Sequence, residues 1–286
     1  WADGYCRSVF RLVENLKGPV KGIVGPWIHK YPHYAGPEPR IGFLQEALRW
    51  WDRWLKGIGN GAETLPAYRT LLMDSVAPQR WLDERPGRWI AEAEWPSPGI
   101  DTMTLELGDG TLGQGAMTVD APVRSPLDCG SQAGEYFPFA YGPEFPDEQT
   151  PDDLKSACFD GEVLDHPLDI VGAPRLKIRA RADKPMAQLA VRLCDLRPDG
   201  TSALITMGVF NLTHRTSAEA PELRDVVEFH RQRDLQVMPR DALVQRQRLD
   251  IASGLTSNVF ALLTEGAITN ANSTTIEQDI IGAKVK

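Results

Sequence analysis

One histidine in this chain stands where chemistry is commonly placed. The β-branched pair Ile23-Val24 is stopped by Gly25-Pro26, and Trp27-Ile28-His29 follows at once. Proline cannot donate to a strand ladder and pushes the residue before it out of helical space, so the strand ends at Gly25. His29 therefore falls on the loop just beyond a strand end, the edge on which open α/β sheets carry their reactive groups. Imidazole is the usual general base near neutral pH, which makes proton transfer the chemistry to consider. These residues alone leave a second reading open, a histidine that only packs or sits on the surface.

A candidate partner lies upstream, Asp3 in Trp1-Ala2-Asp3-Gly4-Tyr5. Tyr5, Val9, Phe10, Leu12, Val13 and Leu16 recur at helical spacing and Gly18-Pro19 ends the segment, so one helix and one returning strand separate Asp3 from His29. A right-handed βαβ crossover sets parallel strands side by side with both loops at one edge. That geometry suits a carboxylate–imidazole dyad. In such a dyad the carboxylate fixes the tautomer and stabilises the imidazolium while the ring draws a proton from a hydroxyl. Asp-Gly equally suits a carboxylate that caps the turn into the following helix, and this alternative stands beside the first. No Gly-x-Ser-x-Gly elbow occurs in the 286 residues, so a serine for this dyad must come from elsewhere.

Three motifs, WADGY at the start, GPWIH around His29 and Arg49-Trp50-Trp51-Asp52-Arg53-Trp54-Leu55-Lys56-Gly57, occur in this order. Together they resemble the end of the hydrolase domain in the cocaine-esterase-like (CocE/NonD) family, itself similar to the X-Pro dipeptidyl-peptidases and α-amino-acid ester hydrolases. The resemblance implies an α/β-hydrolase domain with a Ser-His-Asp triad in chain order Ser, Asp, His. Asp3 falls on the triad aspartate in a GW-x-DG pattern, and His29 on the triad histidine in GPW-x-H. Trp1 and Trp27 are then expected to pack around the dyad. The similarity continues through Arg88-Trp89, Trp95-Pro96 and the turn Cys194-Asp195-Leu196-Arg197-Pro198-Asp199-Gly200, over residues 1–215. Beyond it the chain departs from the family, whose members carry a GHR strand, a Ser-rich segment and a Pro.

The remaining elements must position that site. Over residues 41–56, Phe43, Leu44, Ala47, Leu48, Trp51, Trp54 and Leu55 follow helical spacing and Gly57 supplies the stop. The stripe is expected to pack this helix on the sheet as core. Residues 31–40, rich in Pro, Gly and aromatics, suit an ordered rim beside His29. Past 57–61 the pattern changes to short β-prone runs, at 68–73, 102–107, 176–180, 188–193, 203–210, 226–229 and 258–263, with Asp109-Gly110 and Asp199-Gly200 as turns. The expected fold is thus the carboxyl-terminal remnant of an α/β-hydrolase (residues 1–60), followed by an all-β jelly-roll, galactose-binding-like sandwich (residues 61–286). Residues 108–115 and 121–151 are long but dense in aromatics, and are expected to lie as ordered loops across the sandwich or onto the first domain.

The totals narrow the function. A net charge of −8 argues against a nucleic-acid surface, which would need a basic face, and no apolar run is long enough to span a bilayer. The four cysteines, Cys6, Cys129, Cys158 and Cys194, lack metal-ligand spacing and suit free thiols. A soluble protein is expected, its compartment open with the cytoplasm favoured. His29-x3-His33 could ligate zinc on a helix, but Pro32 opposes a helix there, so no metal and no cofactor are expected. The acidic residues Glu144, Asp147, Glu148, Asp152 and Asp153 match no calcium loop and are expected to be solvated. His166, His214 and His230 have no evident partner. The expected function is the carboxyl-terminal portion of a serine ester or amide hydrolase, acting on a small substrate and inactive without an amino-terminal segment that bears the serine. The alternative is a jelly-roll binding module, for carbohydrate or a partner domain, using the aromatics near Tyr136–Tyr141.

Overall fold

The chain opens with helix, strand and helix, as its apolar spacing and breakers require. Helix α1 (Cys6–Asn15) ends where Leu16 turns extended ahead of Gly18-Pro19, and β1 (Gly22–Val24) follows. Helix α2 (Phe43–Lys56) closes on Gly57 in the left-handed conformation (φ 71°), which only glycine enters without cost. The computed structural model describes residues 1–114, 121–176, 178–182 and 187–211, and beyond them the strand backbone at 237–242, 247–254, 259–263, 274–276 and 284–285.

From residue 68 onward the described chain is mostly β. Strand β2 (Tyr68–Asp74) is the junction: β3 (Gly87–Glu92) pairs antiparallel along one edge, from Tyr68↔Glu92 to Met73↔Gly87. On the other edge β1 lies parallel to its first half, Gly22↔Tyr68 to Val24↔Thr70, and the strand Val237–Ala242 lies parallel to its second half at Met73 and Asp74. The sheet continues through Leu168–Gly172, Lys284–Val285 and Asp101–Thr102, making seven strands. Phe10 of α1 packs onto it with Val24, Tyr68, Leu71 and Val171, so the first helix and the first β strands share one core.

A six-stranded sheet is built around the hairpin Gln188–Leu196 and Ser202–Asn211, with Gly200 at φ 85° in the Asp199-Gly200 turn. Its inner residues Phe159, Leu189, Val191 and Phe210 meet Ile178 and Ala180 of a three-stranded sheet in one apolar cluster. Period-2 alternation puts these residues on one face and thereby makes a sheet-on-sheet core. Among the described residues no helix is long and apolar enough to cross a membrane.

Four expectations need correction. The alternating run 102–107 is two short strands, Asp101–Thr102 and Glu106–Leu107, that join different sheets, so its period-2 pattern does not mark one element. The stripe of α2 is not core. None of its residues is buried, and Leu48, Trp51 and Leu55 are 57%, 53% and 75% exposed. Amphipathic spacing states that a helix needs an apolar partner, but apart from Phe43 stacked on Tyr31 and His33 the helix is held, among the described residues, by polar bonds, chiefly a two-pronged ion pair from Arg69 to Glu46 (both 2.8 Å). The acidic loop is not wholly solvated either. Asp152 and Asp153 are buried, because Arg192 on Gln188–Leu196 is buried opposite them, 3.1 Å from Asp153 and donating to Gln149 and Ser156. Finally, the aromatics near Tyr136–Tyr141 do not form one exposed platform, since Phe137 and Phe139 turn inward against His29. Other readings, the strand at 226–229 and His214 and His230, lie outside the described residues.

Two stability outcomes follow from these pairs. Arg69 donates to Glu46 and holds its carboxyl below the ordinary 4.5, so the pair contributes fully above that pH and is lost as pH falls through the lowered value. In urea titrations Glu46→Gln is expected to cost up to about 1 kcal/mol at pH 7, because the pair is half-exposed, and nothing once Glu46 is protonated in both states. Arg192→Ala removes the cation facing two buried carboxylates and is expected to cost about 3–5 kcal/mol at pH 7.

Candidate active site

The loop ends predicted to converge do so. Asp3 Oδ2 lies 2.7 Å from His29 Nδ1, with the two side chains 22% and 34% exposed. The two backbones are tied as well, for the Trp1 nitrogen donates to the Gly25 carbonyl at 2.7 Å. The other oxygen of Asp3, Oδ1, accepts the Tyr5 amide at 2.6 Å and holds the turn into α1. One carboxylate therefore makes both contacts, one oxygen on the imidazole and the other on the turn. With Nδ1 engaged, Nε2 is the nitrogen left to exchange a proton with a substrate or nucleophile.

A segment more than a hundred residues away covers this pair. Phe137 and Phe139 stand edge-on to the imidazole with centroids at 4.9 and 5.0 Å, and Tyr5 is 5.6 Å away on its own loop. The His29 amide donates to the Pro138 carbonyl at 3.0 Å, and the Tyr136 hydroxyl reaches the Gly4 carbonyl at 3.4 Å. Gly4 has no room for a side chain, since a Cβ there would lie 2.6 Å from Phe137 and 2.7 Å from Tyr136. The base of the segment is fixed by Phe145, which is buried, stacks on Trp81 (5.0 Å, 16°) and meets Trp1 edge-on (5.9 Å). Trp27, Ile28 and Ala35 complete that cluster, and the Trp27 indole donates to the Pro39 carbonyl at 2.9 Å. Trp1 and Trp27 thus pack at the base of the covering segment, Trp1 on Phe145 and Trp27 in the same cluster.

Sequence reasoning missed Phe137 and Phe139 as neighbours of His29, and Glu144 as the acid that holds their turn. The aromatic density of 136–145 was the available signal, but it names no target. His33 does not join the pair. It stacks on Phe43 (6.1 Å, 5°) and stands edge-on to Tyr34. His166 is exposed, and Cys129, Cys158 and Cys194 are not joined to one another by a disulfide. Chemically the arrangement offers a held imidazole whose Nδ1 faces a carboxylate, with two apolar rings edge-on to it.

Comparison with known proteins finds one matching family and relatives among hydrolases. A family described as the X-Pro dipeptidyl-peptidase C-terminal non-catalytic domain matches residues 60–254, so Asp3 and His29 lie ahead of the matched span. The chain is 24% identical over 258 residues to a cocaine esterase of Rhodococcus sp. (strain MB1 Bresler), covering 80% of this chain and 43% of that protein. It is 28% identical over 201 residues to an Xaa-Pro dipeptidyl-peptidase of Lactobacillus delbrueckii subsp. lactis, covering 66% of this chain and 23% of that one. It therefore spans less than half the length of these relatives. In fold it is similar to an α-amino acid ester hydrolase (TM-score 0.57, 16% identity, 96% of this chain and 51% of that one). It is also similar to a CocE/NonD family hydrolase of Staphylococcus aureus (TM-score 0.53, 11% identity, 85% and 46%).

The contact at Gly4 gives a direct check on the covering segment. Gly4→Ala is expected to push Phe137 and Tyr136 off the loop and speed chymotryptic cleavage in 136–141, with the melting temperature little changed. An unaltered cleavage rate would mean that the segment does not rest on Gly4.

Proposed function

As the chain belongs to the X-Pro dipeptidyl-peptidase C-terminal domain family and resembles hydrolases of the CocE/NonD type, we propose that it is the carboxyl-terminal portion of a serine ester or amide hydrolase. The observation that carries this reading is the 2.7 Å contact between His29 Nδ1 and Asp3 Oδ2 at two adjacent loop ends. In this proposal residues 1–60 close an α/β-hydrolase layer, and residues 61–286 form a jelly-roll domain that walls the acyl pocket through Phe137 and Phe139. A serine on an amino-terminal segment attacks the carbonyl of a small ester or amide. His29 takes the serine proton at Nε2 and returns it to the leaving group, and Asp3 holds the ring in the required tautomer. Water then releases the acid by the same proton path, and no metal or cofactor is required.

The uncovered stripe of α2 supports the presence of such a segment. Leu44, Leu48, Trp51 and Leu55 form an exposed apolar row, and Tyr31 and Tyr34 expose further apolar surface on the loop before the helix. A row this long on one helix ordinarily marks a surface that another element covers. The binding-module alternative is weakened by the inward turn of Phe137 and Phe139, which removes two rings from any stacking platform.

The test is made in the full-length parent. His29→Ala is expected to cut kcat for a p-nitrophenyl ester by about 10⁴ or more, with KM moving far less. Turnover near that of the wild type would sink the assignment. The 286-residue chain by itself is expected to be inert toward the same ester.

A further inference from the structure

The covering segment contains a device that aims it. The amides of three successive residues, Phe139, Ala140 and Tyr141, all point at one carboxylate: Glu144 Oε2 accepts from Phe139 at 2.6 Å and Ala140 at 2.8 Å, and Oε1 accepts from Tyr141 at 3.1 Å. Successive amides that converge in this way form a nest for an anion, and here the anion is part of the chain. The turn adopts a conformation that alanine disfavours, with Ala140 at φ 65°. Charge-assisted bonds from three amides are the kind of interaction that can hold a residue there.

Glu144 is itself fixed at both sides. Its carbonyl accepts the Glu135 amide at 2.8 Å, and the next residue, Phe145, is buried and donates its amide to the Arg80 carbonyl at 2.8 Å. Gly134 lets the chain close at that point, for a Cβ there would lie 2.7 Å from the Phe145 backbone. The turn so held reaches His29 in two ways, through the Pro138 carbonyl on the His29 amide and through the Phe137 and Phe139 rings on the imidazole.

We infer that Glu144 is a positioning residue for His29, acting through the 138–141 turn and not by touching the ring. The inference rests on the reading of Asp3–His29 as the catalytic pair for its functional meaning, but it is a statement about where the imidazole is held and is tested as such. Glutamine at 144 would keep the shape and offer one oxygen, while its NH₂ would face an amide it cannot accept from. Alanine would release all three amides.

The experiment uses the 286-residue chain with ring-labelled histidine, whose five imidazoles give few signals, together with backbone amide spectra. In Glu144→Ala the amides of 139–141 are expected to lose their hydrogen-bonded shifts. The His29 ring is expected to lose most of the ring-current displacement that Phe137 and Phe139 impose, while His33 and His166 stay unchanged. Glu144→Gln is expected to fall between. Moved amides with an unmoved His29 ring would overturn the inference, as would amides that do not move. If the alanine variant does not fold, the same comparison is read on Glu144→Gln, and failure of both to fold would overturn it by making Glu144 a residue of general stability. Failure of the catalytic reading would appear elsewhere, as retained turnover in His29→Ala of the parent, with the ring and amide shifts of the 286-residue chain untouched.

Discussion

The burial of Phe145 is the contact on which the site depends. Its ring stacks on Trp81, meets Trp1 edge-on and lies in one cluster with Trp27, Ile28 and Ala35, so it joins the loop that bears Asp3, the strand end that leads to His29 and the segment that covers both. Burying such a side chain is worth about 1.5–3 kcal/mol. That is enough to pin the base of the covering segment, but not to order residues 135–144, each of which gives up about 1–2 kcal/mol of backbone freedom. The remaining order comes from polar closure: Glu135 on the Glu144 carbonyl, three amides on the Glu144 carboxylate, and His29 on Pro138. Apolar burial decides where the segment is rooted, and hydrogen bonds decide how it points.

Helix α2 illustrates the reverse case, in which the local signal is complete and the tertiary one is missing. Its spacing, its Gly57 stop and its basic last turn with Arg53 and Lys56 all agree with the helix that forms. Yet its apolar row faces outward, and the helix is anchored on its polar side by Glu46–Arg69 and by Arg49 on the Asn60 carbonyl. An apolar stripe on a helix specifies a direction of burial and never the identity of what will lie there.

The same distinction explains what the sequence disclosed. The helix over 6–15, the strand at 22–24 and the hairpin turned by Asp199-Gly200 are governed by short-range rules of spacing and breakers, and all were legible. The meeting of Asp3 and His29 was legible too, although among the described residues no strand precedes α1 to complete the βαβ unit from which it was expected. The splitting of 102–107 between two sheets, the burial of Asp152 and Asp153 and the approach of Phe137 and Phe139 to His29 depend on residues far off in the chain. Arg192 decides the fate of two aspartates at 152 and 153, and nothing in their own neighbourhood announces it. Glu144 looked like one acid among several because a nest is made by backbone amides, which every residue carries and no sequence displays.

Asp3 is held by two constraints at once. A carboxylate that only faced an imidazole could rotate away from it, because a single bond fixes one oxygen and leaves the plane of the group free. Here the Tyr5 amide takes Oδ1 at 2.6 Å while His29 takes Oδ2, so the turn that starts α1 also sets the rotamer of the group that orients the ring. Holding the turn and facing the imidazole are therefore not rivals. The local turn supplies the preorganisation that the long-range contact needs, and a dyad built on a helix-entry turn gains its geometry from backbone that must fold in any case.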